Sequence, residues 1–175
     1  RSKTDMLPPF GEMGSQPLRP LQTRPCWIDR EKMANTNSVG SAAITALAKA
    51  QGVPSGVGCH SLDVVVACEK NKIAADFYIK TLHHHNYPSA KLGRGGDAMW
   101  CEEPNETVEY MKSVSKTWIA FKVMAAGAIP PRNAYTFAFQ SGADFALSGM
   151  FDFEIPEDAK IACEVLATVK DRARP

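Results

Sequence analysis

The sequence predicts an α/β fold in which four parallel strands alternate with helices, as in the C-terminal half of a (β/α)₈ TIM barrel. Three observations predict it. Short apolar runs alternate with segments of helical periodicity from residue 38 onward. Strands joined by helices are parallel, with right-handed crossovers. Each strand also has one apolar face and one mixed face, whereas a sheet covered by helices on both sides has almost continuously apolar strands.

The first 37 residues predict a separate arm. They contain five of the twelve prolines and few apolar residues. Such a segment buries too little surface to offset the entropy of ordering, so we expect an extended or disordered arm at 1–37 and an incomplete half barrel at 38–175. Because the first residue is Arg1 rather than Met, we also expect a fragment or a processed product.

A helix opens the half barrel. Its small and apolar residues recur at helical spacing, and Gly52 follows as a C′ residue in the left-handed conformation. These spaced residues are Val39, Ala42, Ala43, Leu47 and Ala50.

Four strand–helix units follow. The strands are predicted at 54–60, 76–82, 118–126 and 144–150. The helices are predicted at 62–70, 106–114, 130–142 and about 156–171. Ser61 is the expected N-cap of the first of these helices, and the third is opened by two prolines and closed by Gly142.

Alternation within the strands suggests which side chains face the barrel interior. In the second strand Phe77 and Ile79 oppose Tyr78 and Lys80. We expect the apolar set to pack on helices and the mixed set to line the interior. The predicted interior residues that could take part in catalysis or binding are His60, Tyr78, Lys80, Lys122 and Ser148.

Two lysines in one interior predict nucleophilic chemistry. Burial and like-charge repulsion lower the pKa of a lysine, and a deprotonated amine is a nucleophile at neutral pH. Alternatively, Lys80 or Lys122 extends to the rim or pairs with carboxylates from another part of the barrel.

The segment from Ala75 to Thr81 resembles the sixth-strand motif of class I deoxyribose-phosphate aldolases, where a Lys followed by Thr forms the Schiff base. The segment from Lys122 to Ile129 resembles the seventh strand of that family, although Met124 stands in place of its second lysine. Several segments are similar to an uncharacterised bacterial group of aldolase-type barrel proteins. They are Gly56–His60, Phe121–Gly127 and Gly149–Met150. The aldolase resemblance implies a Schiff base on Lys80, with Lys122 tuning its pKa.

Gly127, Ser148 and Gly149 form a candidate phosphate site. Each turn precedes a helix N-terminus, where barrels commonly bind phosphate through backbone N–H groups. The alternative for Gly127 is that it only makes a tight strand-to-helix turn.

His60 and the triplet His83, His84 and His85 form an alternative metal site. All follow strands at the same end of the predicted barrel, and imidazole is a common ligand of zinc and other divalent metals. Glu102, Glu103 and Asp152 could add carboxylates. A polar cluster without metal is the other interpretation, and no spacing here is diagnostic.

The glycine-rich loop from Tyr87 to Pro104 is longer than most loops between a strand and a helix. It predicts either a lid over the site or a disordered insertion.

Composition limits the function classes. The chain has 20 Lys and Arg against 19 Asp and Glu, without a basic cluster, so we expect a small-molecule substrate rather than nucleic acid or a membrane. Five widely spaced cysteines without a Cys-x-x-Cys pair suggest a reducing compartment, and therefore the cytoplasm.

These expectations lead to three hypotheses. The first is a lyase or aldolase acting on a small, perhaps phosphorylated, carbonyl compound without a cofactor. In it Lys80 is the nucleophile, Lys122 tunes its pKa, and Tyr78 or His60 transfers a proton. The second is a metal-dependent isomerase or hydrolase. The third is a catalytically silent fragment. A half barrel leaves unpaired edges, so we expect self-association or pairing with a missing N-terminal half.

Overall fold

A computed structural model describes residues 37–92, 100–170, 172 and 174. Apart from Asn37, the predicted arm lies outside the described residues. The glycines of the predicted lid, Gly93, Gly95 and Gly96, lie outside them as well.

Helices and strands alternate along the described chain. The strands are β1 (Gly56–Cys59), β2 (Phe77–Thr81), β3 (Thr117–Phe121) and β4 (Phe145–Leu147). The α-helices are α1 (Asn37–Ala50), α2 (Leu62–Lys70), α3 (Pro104–Met111), α4 (Pro131–Gln140) and α5 (Ile155–Thr168). Short 3₁₀ turns lie at Pro88–Leu92 and Asp152–Glu154.

The four strands form one parallel sheet in the order β1-β2-β3-β4. This confirms the α/β class and the alternation of parallel strands with helices. The sheet of described strands is open, and closure into a barrel stays a prediction.

Local sequence signals at the first two helices are confirmed. Gly52 follows α1 with φ +71°, a left-handed conformation that glycine adopts at little cost. Ser61 caps α2, because its hydroxyl accepts a hydrogen bond from the Asp63 backbone N–H at 3.2 Å.

The third strand is shorter than predicted. It ends at Phe121 rather than at residue 126, because Lys122 has φ +55° and Ala125 and Ala126 have φ +46° and +56°. Left-handed residues cannot continue a pleated strand, so the chain turns there. The apolar composition of this segment predicted a continuous strand and did not indicate the turn.

The predicted faces of the sheet are reversed in β2, β3 and β4, whereas in β1 Cys59 packs against the helices as expected. Tyr78 pairs in register with Trp118, and Lys80 with Cys59 and Ala120. All five side chains are buried, and the Tyr78 hydroxyl contacts Glu69 of α2. The face with Tyr78 and Lys80 therefore packs against the helices, contrary to the expectation that it lines an interior.

The opposite face is apolar and uncovered in the described part of the chain. It carries Ile79 and Ile119 in register with Phe145, and Phe121 in register with Leu147. Phe145 is 61% exposed and Leu147 is 41% exposed. Alternation defines two faces but not which one meets the helices, and the hydrophobicity of this face led to the wrong choice.

The amino edge of the sheet is closed by an ionic network. Asp144 pairs with Arg172 at 3.1 Å and with Arg174 at 3.3 Å, and it accepts a hydrogen bond from the Trp118 backbone N–H at 2.8 Å. The Arg174 guanidinium also donates to the carbonyls of Val114 and Lys116. Polar side chains at this edge therefore satisfy backbone groups, which leaves the carboxyl edge as the place to look for a functional site.

Within the described residues, no helix combines the length and the hydrophobicity needed to cross a lipid bilayer.

We expect the uncovered apolar face to drive association. Phe145→Gln should lower the associated fraction in light scattering, because it removes an exposed aromatic ring from that face at the outer strand β4. Leu166→Gln is the matched control, since Leu166 is also exposed but lies on α5. A wild-type chain that remains a monodisperse monomer would contradict this expectation.

Candidate functional site

The candidate site lies at the carboxyl edge of the sheet, where His60, Thr81 and Phe121 form a row across three neighbouring strands. Because Cys59 pairs with Lys80, the next residue, His60, lies beside Thr81, which pairs with Phe121. The His60 Nδ1 atom hydrogen-bonds to the Thr81 hydroxyl, and the imidazole stacks on the Phe121 ring with centroids 6.2 Å apart. His60 is thus held by two neighbouring strands.

Lys122 follows this row directly. Its Nζ atom lies 3.6 Å from the centre of the Trp100 ring, a cation–π contact. Its backbone is in the left-handed region, which costs a residue with a Cβ on the order of 1 kcal/mol. Strained residues of this kind are concentrated at functional sites.

A cavity of about 240 Å³ opens beside Lys122. Its lining includes Trp100, Phe121, Gly127, Ser148 and Gly149. Among the described residues of that lining, Lys122 is the one that carries a charge. The cavity therefore fits a small ligand with negative charge.

The predicted phosphate-binding residues meet in this cavity. A Cβ added to Gly127 or Gly149 would find no atom within 4 Å, so both positions border open space. The buried Ser148 hydroxyl makes no hydrogen bond of standard geometry. It lies near the Tyr135 hydroxyl, where it opposes the rise in the pKa of Tyr135 that burial causes. Gly127 also has φ +84°, which makes the tight turn of the alternative interpretation equally real.

A second cavity, of about 190 Å³, lies on the other side of Trp100. It is lined by His60, by the start of α2 and by the acidic segment at the start of α3. Trp100 therefore lines both the cavity of Lys122 and this acidic cavity, whereas His60 lines the acidic one.

His60 is neutral at pH 7. Burial lowers the pKa of His60 from its ordinary value to about 4, and the positive charges of Lys122 and Lys80 lower it further in the same direction. A neutral imidazole can accept a proton from a bound substrate.

Lys80 does not share the cavity with Lys122. It is 1% exposed and lies on the helix-covered face, where its Nζ donates to the Thr81 carbonyl at 2.7 Å. Burial lowers the pKa of Lys80. The expectation that Lys80, Lys122 and His60 converge on one cavity is therefore wrong. Lys80 lies on the face opposite His60, and His60 lines the cavity next to that of Lys122.

Tyr78 is also remote from the row. Its hydroxyl donates to Glu69 at 2.6 Å, and Lys116 pairs with the same carboxylate. Burial raises the pKa of Tyr78, and its hydrogen bond to Glu69 raises it further. This geometry keeps the phenol protonated inside the helix layer.

The histidine triplet binds backbone atoms. His83 Nε2 accepts hydrogen bonds from the N–H groups of Trp100 and Cys101, each at 3.1 Å, and His85 Nε2 lies 2.6 Å from the Cys101 carbonyl. His84 Nδ1 accepts from the Asn86 N–H. Among the described residues, no three His, Cys, Asp or Glu side chains are grouped as metal ligands.

Two members of the site were not assigned a role from sequence. Trp100 lies in the long loop from Tyr87 to Pro104, for which the sequence predicts no individual side-chain role, and Thr81 ends the motif that resembles the aldolases. A cation beside an aromatic ring leaves no signal when 21 residues separate them. The contact of Thr81 with His60 depends on strand register, which one sequence does not reveal.

Comparison with protein-family models, with curated protein sequences and with solved structures finds no match to this chain. The function must therefore be argued from the geometry of the site.

Left-handed strain at Lys122 can be measured. Lys122→Gly should have a free energy of unfolding about 1 kcal/mol higher than Lys122→Ala, because glycine adopts φ +55° without a Cβ clash. Urea denaturation of both variants gives the difference. At Lys112, where φ is −57°, the glycine variant should be the less stable of the matched pair. The same order of stability at both positions would contradict the strain.

Stability should also depend on pH through His60. Its folded pKa of about 4 lies below its ordinary value of about 6.5, so the unfolded chain binds more protons between these values. The contribution is complete above about pH 6.5 and is lost progressively as the pH falls toward 4. Urea denaturation between pH 7 and pH 4 gives the free energy of unfolding at each pH. This free energy should fall less steeply with falling pH in His60→Asn than in wild type. The control Lys70→Gln should keep the wild-type dependence of this free energy on pH. The wild-type dependence in His60→Asn would exclude a contribution of the lowered His60 pKa to stability.

Proposed function

We propose that the chain is part of a lyase of the aldolase type that acts on a small anionic carbonyl compound, with Lys122 forming the Schiff base. The observation that carries the proposal is the position of Lys122 on strained backbone at the carboxyl edge, where it lines a cavity with Gly127, Ser148 and Gly149. Within the described part of that lining it is the one charged residue. Active sites of parallel α/β folds lie at this edge.

Burial favours Lys122 over Lys80 as the nucleophile. An amine must reach the substrate carbonyl to attack it, and the Lys80 side chain is enclosed within the helix-covered face. Lys122 is only half-buried and borders the cavity. The role of Schiff-base lysine, first expected for Lys80, is therefore proposed for Lys122.

The proposed reaction uses the side chains of Lys122 and His60. The Lys122 amine, after giving up its proton to solvent, adds to the carbonyl carbon of the substrate, and loss of water gives an iminium ion. His60, which lines the adjoining cavity, accepts the proton of the substrate hydroxyl on the β-carbon as the bond between the α- and β-carbons breaks. The β-carbon leaves as a carbonyl compound, and the electron pair of the broken bond forms an enamine. Protonation of the enamine carbon and addition of water then release the product and restore the amine.

Substrate charge is the next element of the proposal. Open space beside Gly127 and Gly149 leaves room for an anionic group near their backbone. Glu154 and Asp158 line the neighbouring cavity beyond Gly127 and disfavour an anion there. A phosphate or carboxylate of the substrate would therefore lie on the Lys122 side.

The half barrel belongs to the same proposal. An open parallel sheet with an apolar uncovered face is the form expected when four further strands complete a barrel. We propose that a second copy or a separate N-terminal half supplies them and, with them, any catalytic group on those strands.

Borohydride trapping tests the nucleophile. Reduction in the presence of glyceraldehyde 3-phosphate should fix an adduct on Lys122, because borohydride reduces the iminium ion to a stable secondary amine. Peptide mass spectrometry locates the modified lysine. Lys122→Met should lose the adduct, and Lys70→Met, which removes an exposed lysine of α2, should keep it.

The same measurement separates the alternatives. An adduct on Lys80 would return the nucleophile to the position first expected from sequence. Modification spread over exposed lysines, or no modification with a series of phosphorylated and unphosphorylated aldehydes, would end the proposal. Retro-aldol cleavage should be followed in parallel, since trapping without turnover shows binding chemistry only.

A further inference from the structure

His83 makes an unusual set of contacts for a buried side chain. It follows β2 directly and is 1% exposed. Its Nδ1 lies 3.2 Å from the His84 carbonyl oxygen, which can only accept, so Nδ1 carries the hydrogen. Nε2 is then the bare nitrogen, and it accepts from two consecutive backbone N–H groups, those of Trp100 and Cys101.

The segment that His83 binds is fixed by a second histidine. Cys101 is buried, and its carbonyl accepts a hydrogen bond from His85 Nε2 at 2.6 Å. Three backbone groups of Trp100 and Cys101 are therefore satisfied by two side chains of the triplet. This is a polar anchor for a segment that has no strand or α-helix of its own.

The anchored residue is the one that contacts Lys122. Trp100 borders both cavities, and its ring lies 3.6 Å from Lys122 Nζ. The position of the indole depends on its backbone, and the described contacts that hold this backbone come from His83.

We infer that His83 is a positioning residue: it accepts hydrogen bonds from the Trp100 and Cys101 amides and thereby holds the Trp100 ring against Lys122. The consequence for Schiff-base formation rests on the proposed function. The link from His83 to Trp100 and from Trp100 to Lys122 does not. The inference also excludes His83 as a metal ligand in this state, because a metal would need the lone pair of Nε2 that accepts both N–H groups.

Amide hydrogen exchange measured by NMR tests the anchor. In wild type the amides of Trp100 and Cys101 should be protected, and His83→Leu should raise their exchange rates by about fivefold, which corresponds to the loss of about 1 kcal/mol of hydrogen bonding. His83→Gln keeps an acceptor oxygen and should restore part of the protection. His84→Gln is the matched control, because His84 does not contact either amide.

The ring current of Trp100 reports the second link. The side-chain proton resonances next to Lys122 Nζ should lie upfield in wild type and in His84→Gln. They should move downfield in His83→Leu, and also in Trp100→Leu, which leaves the amides at 100 and 101 protected. The amides of Ala120 and Lys80 serve as internal references for an intact sheet. Unchanged exchange at 100 and 101, or an unchanged Lys122 shift, in a folded His83→Leu variant would overturn the inference.

A measurement on wild type covers the case in which His83→Leu does not fold. The ¹⁵N shifts of the imidazole should show His83 protonated at Nδ1, and a ring protonated at Nε2 would overturn the inference because it could not accept. Trapping then separates the two proposals. Protected amides with no Lys122 adduct would end the Schiff-base proposal alone. An adduct that forms at the wild-type rate in His83→Leu, with free exchange at Trp100, would end the consequence of His83 for Schiff-base formation alone.

Discussion

The parallel register of β1, β2 and β3 is the constraint on which the site depends. Pairing of Cys59 with Lys80 puts His60 beside Thr81, and pairing of Thr81 with Phe121 places the ring on which His60 stacks. A shift of one residue would exchange the two faces of every strand. The same register that assembles the row therefore removes Lys80 from it.

Burial of polar groups follows a consistent rule in this structure. Buried donors and acceptors near the carboxyl edge are largely paired with backbone atoms: the Lys80 ammonium with the Thr81 carbonyl, and the imidazoles of His83 and His85 with the segment at 100–101. Such pairing offsets the cost of removing polar atoms from water. It also makes these side chains parts of the scaffold. Lys122 differs, since its amine lies against a ring and beside open space.

The uncovered apolar face connects the fold to the proposed chemistry. Phe145 and Leu147 lie in register with Ile119 and Phe121 of β3, and His60 stacks on the Phe121 ring. Any partner that covers this face would also form a wall of the site. Enclosure would exclude water and strengthen the electrostatic effect of Lys122 on a bound anion. Assembly and activity are thus proposed to depend on the same surface.

The sequence by itself determined the α/β class, the alternation of elements and the local signals at Gly52 and Ser61, because each depends on neighbours within a few residues. It also singled out Lys122 and His60. The tertiary structure alone decided which face meets the helices, and hence that Lys80 is enclosed. It also decided that the His83 imidazole hydrogen-bonds to the backbone at 100–101 and that the Lys122 amine lies over the Trp100 ring. These outcomes depend on register and on contacts between residues far apart in the chain, which periodicity within a single strand does not contain.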